Sequence, residues 1–400
     1  MYAKNVLIVH NRYRYSGGED TVVENEKRML EKRGHKVSCY FRSNTELDEM
    51  SRLRKLVLPF DMMFSLRTFF DVRRIIKKEK INIVHVHNTL LLVSPSMYYA
   101  AWSCGVPVVQ TMHNFRFLCP GATFYRNGKI CEDCVKKGLP CAIKHKCYRG
   151  SFVQTLASAI SIKFHRMLGT YKRLNVICLT EFNKEKLLSV NTKKRTIFDE
   201  RRIYIKPNFT FEGVKGCFPG NEKKEDYYIF VGRIEEIKGI KVLLKAFSVN
   251  GKKLKIVGDG DLKKKAEGFV KRKNLTNIEV LGWLERAQLN ELIAGAKALI
   301  MPSQLYETFG MTIVEAYSNG VPVIAGEIGN IGQLVEEGKT GVRFLYNSAE
   351  SLIEAIERLE KINLTDLKEN AYKAYQEKYS EDENYELLMN VYRNVLESVK

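Results

Sequence analysis

The stretch that says most about this chain reads Glu307-Thr308-Phe309-Gly310-Met311-Thr312-Ile313-Val314-Glu315-Ala316. Gly310 stands where a loop can turn into a helix, because glycine adopts backbone conformations that other residues avoid. The free backbone N–H groups at the start of such a helix would point at an anion such as a phosphate. We expect Glu307 in the loop and Glu315 about two helical turns further on. The two carboxylates would then face different ends of one ligand.

The chain has 400 residues, of which 45% are hydrophobic and 28% charged, as is ordinary for a soluble globular protein. This length is too great for one typical hydrophobic core, so two domains are expected. No apolar stretch reaches the roughly 18 residues that span a bilayer, and residues 1–9 lead into a strand pattern rather than a signal peptide. We therefore expect a cytoplasmic protein, whose nine cysteines are reduced thiols or metal ligands rather than disulfides.

The net charge of +19 is distributed unevenly. Residues 1–205 hold 37 Lys and Arg against 17 Asp and Glu, a balance of +20, whereas residues 206–400 hold 28 against 29, a balance of −1. Such asymmetry indicates an anionic partner for the first half: a negatively charged membrane face, a lipid diphosphate or nucleic acid. The plainer alternative is a solvated basic surface that keeps the protein soluble.

Short apolar runs typical of buried parallel strands recur along the chain. In the first half they lie at 6–9, 37–41, 81–86, 106–110 and 203–205. After the turn signal Pro207-Asn208 they lie at 228–231, 254–257, 278–281, 298–301 and 321–325. Segments of helical periodicity separate the runs, and a last helical segment at 370–399 could reach back to the first half. The sequence predicts two α/β domains, the second beginning near residue 208.

Two basic residues follow the first predicted strand of the second half. Gly232-Arg233 comes directly after it, and Lys238-Gly239 comes five residues later. A guanidinium fork and an ammonium point charge can take different oxygens of a diphosphate. Taken singly, each is better explained as a strand-end turn with a surface Arg or Lys, so the argument depends on their joint order.

In that order, the motifs resemble those of the retaining glycosyltransferase family 4, which has the GT-B architecture. The resemblance rests on Gly17-Gly18-Glu19, Arg33-Gly34-His35-Lys36-Val37, Val84-His85-Val86-His87-Asn88, His113-Asn114, Gly232-Arg233, Lys238-Gly239, Met301-Pro302-Ser303 and the segment from Glu307 to Ala325. It covers nearly the whole chain. It implies two Rossmann-like α/β/α domains facing each other across a cleft. The acceptor-side domain would be 1–207, the donor-binding domain 208–375, and a helix at 376–400 would pack back on the first.

The resemblance also implies a role for each motif residue. Arg233 and Lys238, beside Gly232, would hold the diphosphate of a nucleotide-sugar donor. Glu315 would bond the ribose hydroxyls and Glu307 the donor sugar. The remaining donor contacts would come from Phe309, Gly310, Met311 and Thr312, from Gly17 and Gly18 of the opposite domain, and from His113 beside the sugar.

The implied reaction moves a sugar from a nucleoside diphosphate, with UDP favoured over GDP, to a hydroxyl of a lipid-linked or polysaccharide acceptor in cell-surface glycan synthesis. Preorganised positive charge at the departing phosphate lowers the barrier without a metal, so no catalytic cofactor is expected. The catalytic residues would be Arg233, Lys238, Glu307 and His113. Glu307 is the obvious candidate for a covalent nucleophile, but the family assigns it to sugar binding, and the departing phosphate would take the acceptor's proton.

Two details qualify the resemblance. Family members often carry a glutamate where this chain has Gln333, so a carboxylate role there is in doubt. A histidine at a strand end is often a packed residue bonded to the backbone, and we interpret His85 and His87 in that way. For His113, the resemblance favours a role in the site.

Five cysteines fall between residues 119 and 147 and include one C-x2-C pair. In a reducing compartment, clustered thiols suggest a structural zinc or iron–sulfur site. The candidate ligands are Cys119, Cys131, Cys134 and Cys147, with Cys141 or His145 as alternates. Free thiols in a basic loop are the alternative, because the second half of the segment lacks a matching C-x2-C pair.

Residues 51–80 combine basic and apolar side chains in a manner typical of an amphipathic element on a membrane surface. The basic ones are Arg52, Arg54, Lys55, Arg67, Arg73, Arg74, Lys77 and Lys78. Part of this stretch must also face the core of the first domain. We expect the protein to bind the inner face of the cytoplasmic membrane peripherally, where a lipid-linked acceptor would lie.

Two other classes of function compete. A GT-B epimerase or phosphorylase would keep the fold and change the chemistry, and an epimerase would act with no acceptor present. A nucleic-acid-binding protein would explain the basic half. However, the chain has no recognisable nucleic-acid module, and its aromatic residues do not alternate with basic ones along a strand. We therefore expect no nucleic-acid partner.

Overall fold

The computed structural model describes residues 4–14, 17–214 and 226–398. It divides into two compact units. The first contains Met1–Phe124, Cys131–Asn208 and Asn384–Lys400, and the second contains Tyr125–Ile130 and Phe209–Glu383. The last helix therefore contributes most of its length to the first unit.

In the described residues the strands are, in chain order, β1 (Asn5–Arg12), β2 (Lys36–Ser43), β3 (Ile83–Asn88), β4 (Val108–Thr111), β5 (Tyr125–Arg126), β6 (Lys129–Ile130), β7 (Asn175–Cys178), β8 (Ile203–Ile205), β9 (Tyr228–Val231), β10 (Leu254–Val257), β11 (Ile278–Gly282), β12 (Ala298–Met301), β13 (Val323–Gly326) and β14 (Gly341–Phe344). The first six-stranded sheet has the order β2-β1-β3-β4-β7-β8, and the second has the order β11-β10-β9-β12-β13-β14. Every pairing in both sheets is parallel. The segments β5 and β6 form a separate antiparallel hairpin.

The helices are α1 (Gly18–Lys32), α2 (Glu46–Glu49), α3 (Arg52–Met63), α4 (Leu66–Glu79), α5 (Ser96–Trp102), α6 (Asp133–Lys136), α7 (Pro140–Lys144), α8 (Phe152–Met167), α9 (Thr170–Arg173), α10 (Glu181–Leu188), α11 (Ile240–Asn250), α12 (Lys263–Arg272), α13 (Arg286–Ala294), α14 (Met311–Tyr317), α15 (Ile331–Leu334), α16 (Ala349–Glu360), α17 (Leu364–Lys378) and α18 (Glu381–Glu397). Among the described residues, no helix combines the length and the apolar character needed to cross a bilayer.

Both sheets have a buried interior of aliphatic strands. The β1 residues Val6, Leu7, Ile8 and Val9 are fully buried, as the continuous apolar run predicts for a parallel strand covered on both faces. In each sheet the strand order reverses once: between β1 and β3 in the first unit, and between β9 and β12 in the second. In open α/β sheets, ligands bind outside the carboxyl ends of the strands at such a point. The loops after these four strands are therefore the first places to examine.

The predicted α/β fold of two Rossmann-like units is confirmed. Sequence reasoning missed β7, β14 and the β5–β6 hairpin. The strand β14 begins with glycine and contains Arg343, and β5 and β6 are only two residues long, so these three form no clear apolar run. The buried residues Val176 and Ile177 of β7 do form one, and sequence reasoning passed over it.

Candidate functional site

The loops that follow β9 and β12 meet at the strand-order reversal of the second unit. Lys238 from the first loop donates a hydrogen bond to Oε1 of Glu307 from the second, and the Ser303 hydroxyl donates to the same oxygen at 2.8 Å. Both side chains of the Lys238–Glu307 pair are mostly buried. Two residues predicted to bind one ligand are therefore in direct contact.

Burial would by itself raise the pKa of the Glu307 carboxyl, but Lys238, the Ser303 hydroxyl and the more distant Arg233 together lower it. Glu307 is consequently a carboxylate at neutral pH. Lys238 supplies positive charge at the same point, so the pair offers an acceptor and a cation side by side.

Close backbone packing holds the two loops together. Gly239 has φ +78°, and a Cβ atom placed on it would lie 1.9 Å from the carbonyl oxygen of Pro302. The backbone N–H of Gln304 donates to the carbonyl of Ile237 at 2.8 Å. Only glycine allows this approach, and it brings Lys238 within reach of Glu307.

The segment before α14 turns at Gly310, as predicted. Gly310 has φ +112°, and a Cβ atom there would lie 3.1 Å from Cδ1 of Ile331. The buried Asn330 side chain donates to the carbonyl oxygen of Phe309 at 2.9 Å and so fixes the loop. Sequence reasoning missed this role of Asn330, because the contact joins two loops that are 21 residues apart.

Glu315 lies closer to the start of α14 than expected. The helix begins at Met311, so Glu315 is about one turn in, and the predicted two turns were wrong. Burial raises the pKa of Glu315, while Arg286, whose Nη2 lies 3.5 Å from Oε1, opposes that rise. Arg286 belongs to α13 and had no motif to mark it.

The other predicted donor residues of the second unit surround this pair of loops. Gly232 lies against Gly258, whose Cβ would be 1.9 Å from the Gly232 carbonyl oxygen. Arg233 is largely exposed and pairs with Glu235 at 2.8 Å. Thr312 donates to the sulfur of Met301 at 3.7 Å. Gln333, where the family pattern is broken, is exposed.

Gly17 and Gly18 lie in the first unit, where α1 begins after β1. Gly17 has an extended backbone, with φ −136°, and its N–H donates to the Asp20 carboxylate at 3.0 Å. No described atom lies within 4 Å of the position that a Cβ of Gly17 would occupy. Neither backbone strain nor packing within the described residues therefore requires glycine here.

His113 also lies in the first unit and contacts a second histidine. Its Nε2 lies 2.8 Å from Nδ1 of His87, and the two rings stack. Burial, aided by the nearby His87, lowers the pKa of His113 well below its usual value, so the ring is neutral at pH 7.

The interpretation of His85 and His87 as packed histidines bonded to the backbone was wrong in its second part. Both are buried, but side chains hold them: His85 contacts Tyr392 Oη at 2.8 Å and Thr111 Oγ1 at 2.7 Å. His87 contacts His113 and, at 3.2 Å, the carboxylate of Glu26.

A cavity of the first unit adjoins His113. It is lined by strand-end residues and by helices α3, α5, α8 and α9, and includes Met62, His87, Asn88, Gln110, His113, Arg116, Ser158, Ser161 and Ile162. Such a concave site with a few convergent polar groups is a natural place for a small ligand.

The cysteine cluster is only partly assembled in this structure. The Cys119 thiol hydrogen-bonds to that of Cys134, and this contact, together with backbone N–H donors, lowers the pKa of Cys119 to about 6 against the opposing effect of burial. A Cβ on Gly121 would lie 3.6 Å from Cβ of Cys147 and 3.7 Å from Sγ of Cys119, whereas Cys131 pairs with Asp133 at 3.7 Å. Within the described chain, the metal-capable cluster with all ligand atoms within 4.8 Å of one another is Glu26, His85 and His87. The zinc or iron–sulfur site stays a prediction.

Large apolar side chains are exposed on α3, α4 and α8. Those on α3 and α4 are Leu53, Leu56, Val57, Phe60, Leu66 and Phe70, and those on α8 include Phe152, Val153 and Ile160. The most exposed are Leu53 at 78% and Leu56 at 71%. Helices α3 and α8 pack against each other, so part of this set forms one surface. The contribution of α8 was missed, because its apolar residues suit a core helix equally well.

Two family models match the chain and together span most of it. Residues 16–197 match the model of Glycosyltransferase Family 4, and residues 218–377 match that of glycosyl transferases group 1. The motif-bearing segments around Gly17, His113, Lys238 and Glu307 all fall inside these matches. The chain belongs to the glycosyltransferases of the family 4 type, which have the GT-B fold.

Curated relatives of this chain are also named as glycosyltransferases. An uncharacterized glycosyltransferase of Methanocaldococcus jannaschii is 31% identical over 219 residues, which is 55% of this chain and 58% of the relative. The O-antigen chain mannosyltransferase C of Escherichia coli is 27% identical over 178 residues, 44% of this chain and 48% of the relative. The aligned regions thus span about half the length of these two relatives.

Solved structures share the fold over nearly the whole chain. The sucrose-phosphate synthase of Thermosynechococcus elongatus superposes with a TM-score of 0.69 at 17% identity, covering 99% of this chain and 100% of that one. HepE of Anabaena, solved in complex with UDP, superposes with a TM-score of 0.67 at 15% identity, covering 98% and 100%. At such identities the likeness shows the fold.

Proposed function

We propose that this protein is a retaining glycosyltransferase that moves a sugar from a nucleoside diphosphate, with UDP favoured over GDP, to a hydroxyl of a lipid-linked or polysaccharide acceptor in cell-surface glycan synthesis. The observation that carries the proposal is the contact between Lys238 and Glu307 at the strand-order reversal of the second unit. It joins a phosphate-binding cation to a carboxylate that can accept hydrogen bonds from sugar hydroxyls.

Lys238 and Arg233 serve the departing diphosphate in this mechanism. Negative charge grows on the β-phosphate as the bond to the sugar breaks, and fixed cations lower the barrier at that point. Arg233 is exposed, and its ion pair among the described residues is with the local Glu235 at 2.8 Å, so a phosphate can replace that carboxylate at small cost. Each such contact is worth about 2.7–4 kcal/mol when it tightens in the transition state.

The surroundings of Glu307 support a binding role rather than covalent attack. Its Oε1 atom accepts hydrogen bonds from both Lys238 and Ser303, and these contacts hold its pKa low. A carboxylate stabilised in this way is a weak nucleophile. We therefore propose that the acceptor attacks from the face that the phosphate leaves, with the phosphate oxygen taking the acceptor's proton and no protein base required.

Glu315 would bond the ribose hydroxyls, and Arg286, whose Nη2 lies 3.5 Å from Oε1, offsets part of the rise in its pKa that burial causes. The Gly17-Gly18 segment would approach the diphosphate, which accounts for glycine at a position where nothing described crowds a side chain. HepE of Anabaena holds UDP on the same fold, and the nucleotide of this protein is proposed to be of the same kind.

The acceptor would occupy the cavity beside His113. This cavity is lined by Met62 of α3 and by Ser161 of α8, the helices that also expose apolar side chains. Basic residues such as Arg52, Lys55 and Arg67 lie among those apolar side chains and are exposed. We propose that this surface docks on an anionic membrane, with the lipid-linked acceptor reaching the cavity from there.

A structural zinc ion is proposed for the cysteine cluster. The contact with Cys134 and the backbone N–H groups directed at Cys119 favour a thiolate at Cys119, whereas the same contact raises the pKa of Cys134, so one proton is shared by the two sulfurs until a cation replaces it. Cys147, together with Cys131, Cys141 or His145, would complete the ligand set after a side-chain rotation. The ion would order the segment between β4 and α8 and would take no part in sugar transfer.

The experiment that tests the proposed function is a thermal-shift screen against UDP, GDP, ADP and their common sugars. A ligand that binds only the folded protein raises its Tm by mass action. We expect one nucleotide to raise the Tm of the native protein and to lose that effect in Glu315→Ala. Release of free nucleotide or of an epimer without acceptor would instead indicate an epimerase. No shift with any nucleotide would contradict the donor site.

A further inference from the structure

A row of buried side chains leads from the end of the first sheet to His113. Nε2 of His113 lies 2.8 Å from Nδ1 of His87, and Nε2 of His87 lies 3.2 Å from Oε2 of Glu26. The other oxygen of Glu26 lies 2.6 Å from Nζ of Lys206, which also donates to Asn384 at 2.8 Å. Glu26, His87 and Lys206 are each 2% exposed or less.

The charge state of Glu26 follows from these contacts. Burial would raise the pKa of its carboxyl, but Lys206 and the two histidines outweigh burial and lower the pKa well below the usual value. An ionised carboxylate only accepts hydrogen bonds. Nε2 of His87 and Oε2 of Glu26 are 3.2 Å apart, and neither atom makes a well-directed hydrogen bond to any described residue. The preference is therefore electrostatic: a lone pair on Nε2 would face the carboxylate and be repelled, so the proton of His87 is favoured on Nε2.

Charge balance then fixes the next proton. Lys206 already neutralises Glu26, so a second cation on His87 would stand unpaired in the interior, which is costly. A neutral His87 with its proton on Nε2 has a lone pair on Nδ1. The 2.8 Å hydrogen bond between Nδ1 of His87 and Nε2 of His113 can then form only if Nε2 of His113 carries a proton and donates it.

We propose that Glu26 is a positioning residue which, through His87, fixes the tautomer and orientation of His113. The inference rests on the proposed function, in which His113 lies beside the donor sugar. His113 is neutral, since burial lowers its pKa, and with its proton on Nε2 it carries the lone pair on Nδ1. A ring fixed in one tautomer presents the same hydrogen-bonding pattern to every substrate that approaches it.

The same residues could be taken for a metal site, because ligand atoms of Glu26, His85 and His87 lie within 4.8 Å of one another. Nζ of Lys206 lies 2.6 Å from Oε1 of Glu26 and already supplies positive charge at this carboxylate. His85 also has both ring nitrogens engaged, with Tyr392 and with Thr111. The contacts therefore describe a charge-balanced network rather than a cation site.

The test reads the tautomer directly, by ¹⁵N–¹H correlation of the imidazole rings in the full-length protein labelled at histidine. His113→Gln assigns the signal. We expect wild-type His113 to show a protonated Nε2 and an unprotonated Nδ1. A wild-type His113 with its proton on Nδ1 would overturn the proposal without any variant.

Two variants then separate positioning from mere packing. Glu26→Met with Lys206→Met removes both buried charges together and should leave His113 as a mixture of tautomers, whereas Glu26→Gln with Lys206→Met keeps an acceptor and should restore the wild-type pattern. His87→Phe breaks the row without touching the charged pair and should give the same mixture. Lys36→Met with Glu79→Met, an exposed ion pair of the same unit, is the matched control.

Kinetics gives the second readout once a donor is known. Loss of the fixed tautomer should lower kcat by about tenfold to a hundredfold, the range known for partners that orient metal-binding histidines, with little change in KM. A folded Glu26→Met/Lys206→Met protein in which His113 keeps the wild-type tautomer would contradict the positioning role of Glu26. An unchanged tautomer in the variant would contradict the positioning role, whereas a wild-type protein without transferase activity would contradict the proposed function. The two failures can therefore be told apart.

Discussion

Lys238 and Glu307 come from loops 69 positions apart in sequence and form a mostly buried ion pair where the strand order of the second unit reverses. Gly239 makes the pair possible, because a side chain there would collide with the carbonyl of Pro302. In the proposed enzyme the ion pair breaks when the donor binds, because Lys238 then contacts the phosphate and Glu307 contacts the sugar hydroxyls. The ion pair thus holds both groups in place beforehand.

The first prediction concerns this pair. Lys238→Met should abolish sugar transfer and also destabilise the fold, because it leaves the Glu307 carboxylate buried without its cation. We expect the free energy of unfolding to fall by about 1–3 kcal/mol, measured by urea denaturation. The double variant Lys238→Met/Glu307→Gln should recover most of that stability and stay inactive. Recovery of activity in the double variant would contradict the proposed roles.

The second prediction concerns Glu19, which follows Gly17 and Gly18. Burial, opposed by the hydrogen bond from the Tyr13 hydroxyl, raises the pKa of Glu19 to about 8. The folded state therefore keeps a proton that the unfolded chain, with a carboxyl pKa near 4.5, has lost. Between these two pKa values the free energy of unfolding should fall as the pH rises.

Urea denaturation of Glu19→Gln, compared with wild type between pH 5 and pH 8, measures this effect. The variant has no carboxyl to titrate, so its free energy of unfolding should depend less on pH in that window. Glu31→Gln removes a more exposed carboxylate of the same helix and should leave the slope unchanged. Equal slopes in Glu19→Gln and wild type would show that Glu19 titrates normally.

The third prediction concerns docking on membranes. The protein should sediment with vesicles that contain phosphatidylglycerol and stay in solution with phosphatidylcholine alone. Leu56→Ser with Phe60→Ser should weaken vesicle binding by about tenfold or more, because each side chain would bury apolar area worth about 1.5–3 kcal/mol. Val249→Ser with Trp283→Ser removes equally exposed apolar groups of the second unit and should have no effect. Equal binding to both kinds of vesicle would remove the support for docking.

The fourth prediction concerns the cysteine cluster. Protein purified without a nickel column should contain one zinc ion per chain by atomic emission, and Cys134→Ser should lose it. Chelation should lower the Tm, because binding free energy at a structural site contributes to folding. Cys104→Ser, a cysteine of the same unit outside the cluster, is the control. Native protein without stoichiometric metal would end the zinc proposal.

Much of the site followed from sequence because its motifs are short and local. The glycine before a helix, the basic residues after a strand and the spacing of Glu307 and Glu315 each reflect a constraint within a few residues. The strand order that brings the loops after β9 and β12 together came from the structure, because apolar runs locate strands without giving their order in a sheet.

Other features were beyond the sequence, because they depend on residues far apart in the chain. Glu26, His87, His113, Lys206 and Asn384 meet only after the first sheet and the last helix are assembled. Singly, His87 was interpreted as a packed histidine, and Lys206 belonged to no motif. Arg286 near Glu315 and Asn330 behind Phe309 were hidden for the same reason.

The amino-acid sequence by itself determined the α/β class, the family and the residues expected at the donor site, because hydrophobic periodicity and local backbone requirements are written in consecutive residues. The tertiary structure alone decided which charges are paired and which histidine contacts which carboxylate. Burial requires these pairings, because an unpaired charge that costs little free energy in water is costly in the protein interior.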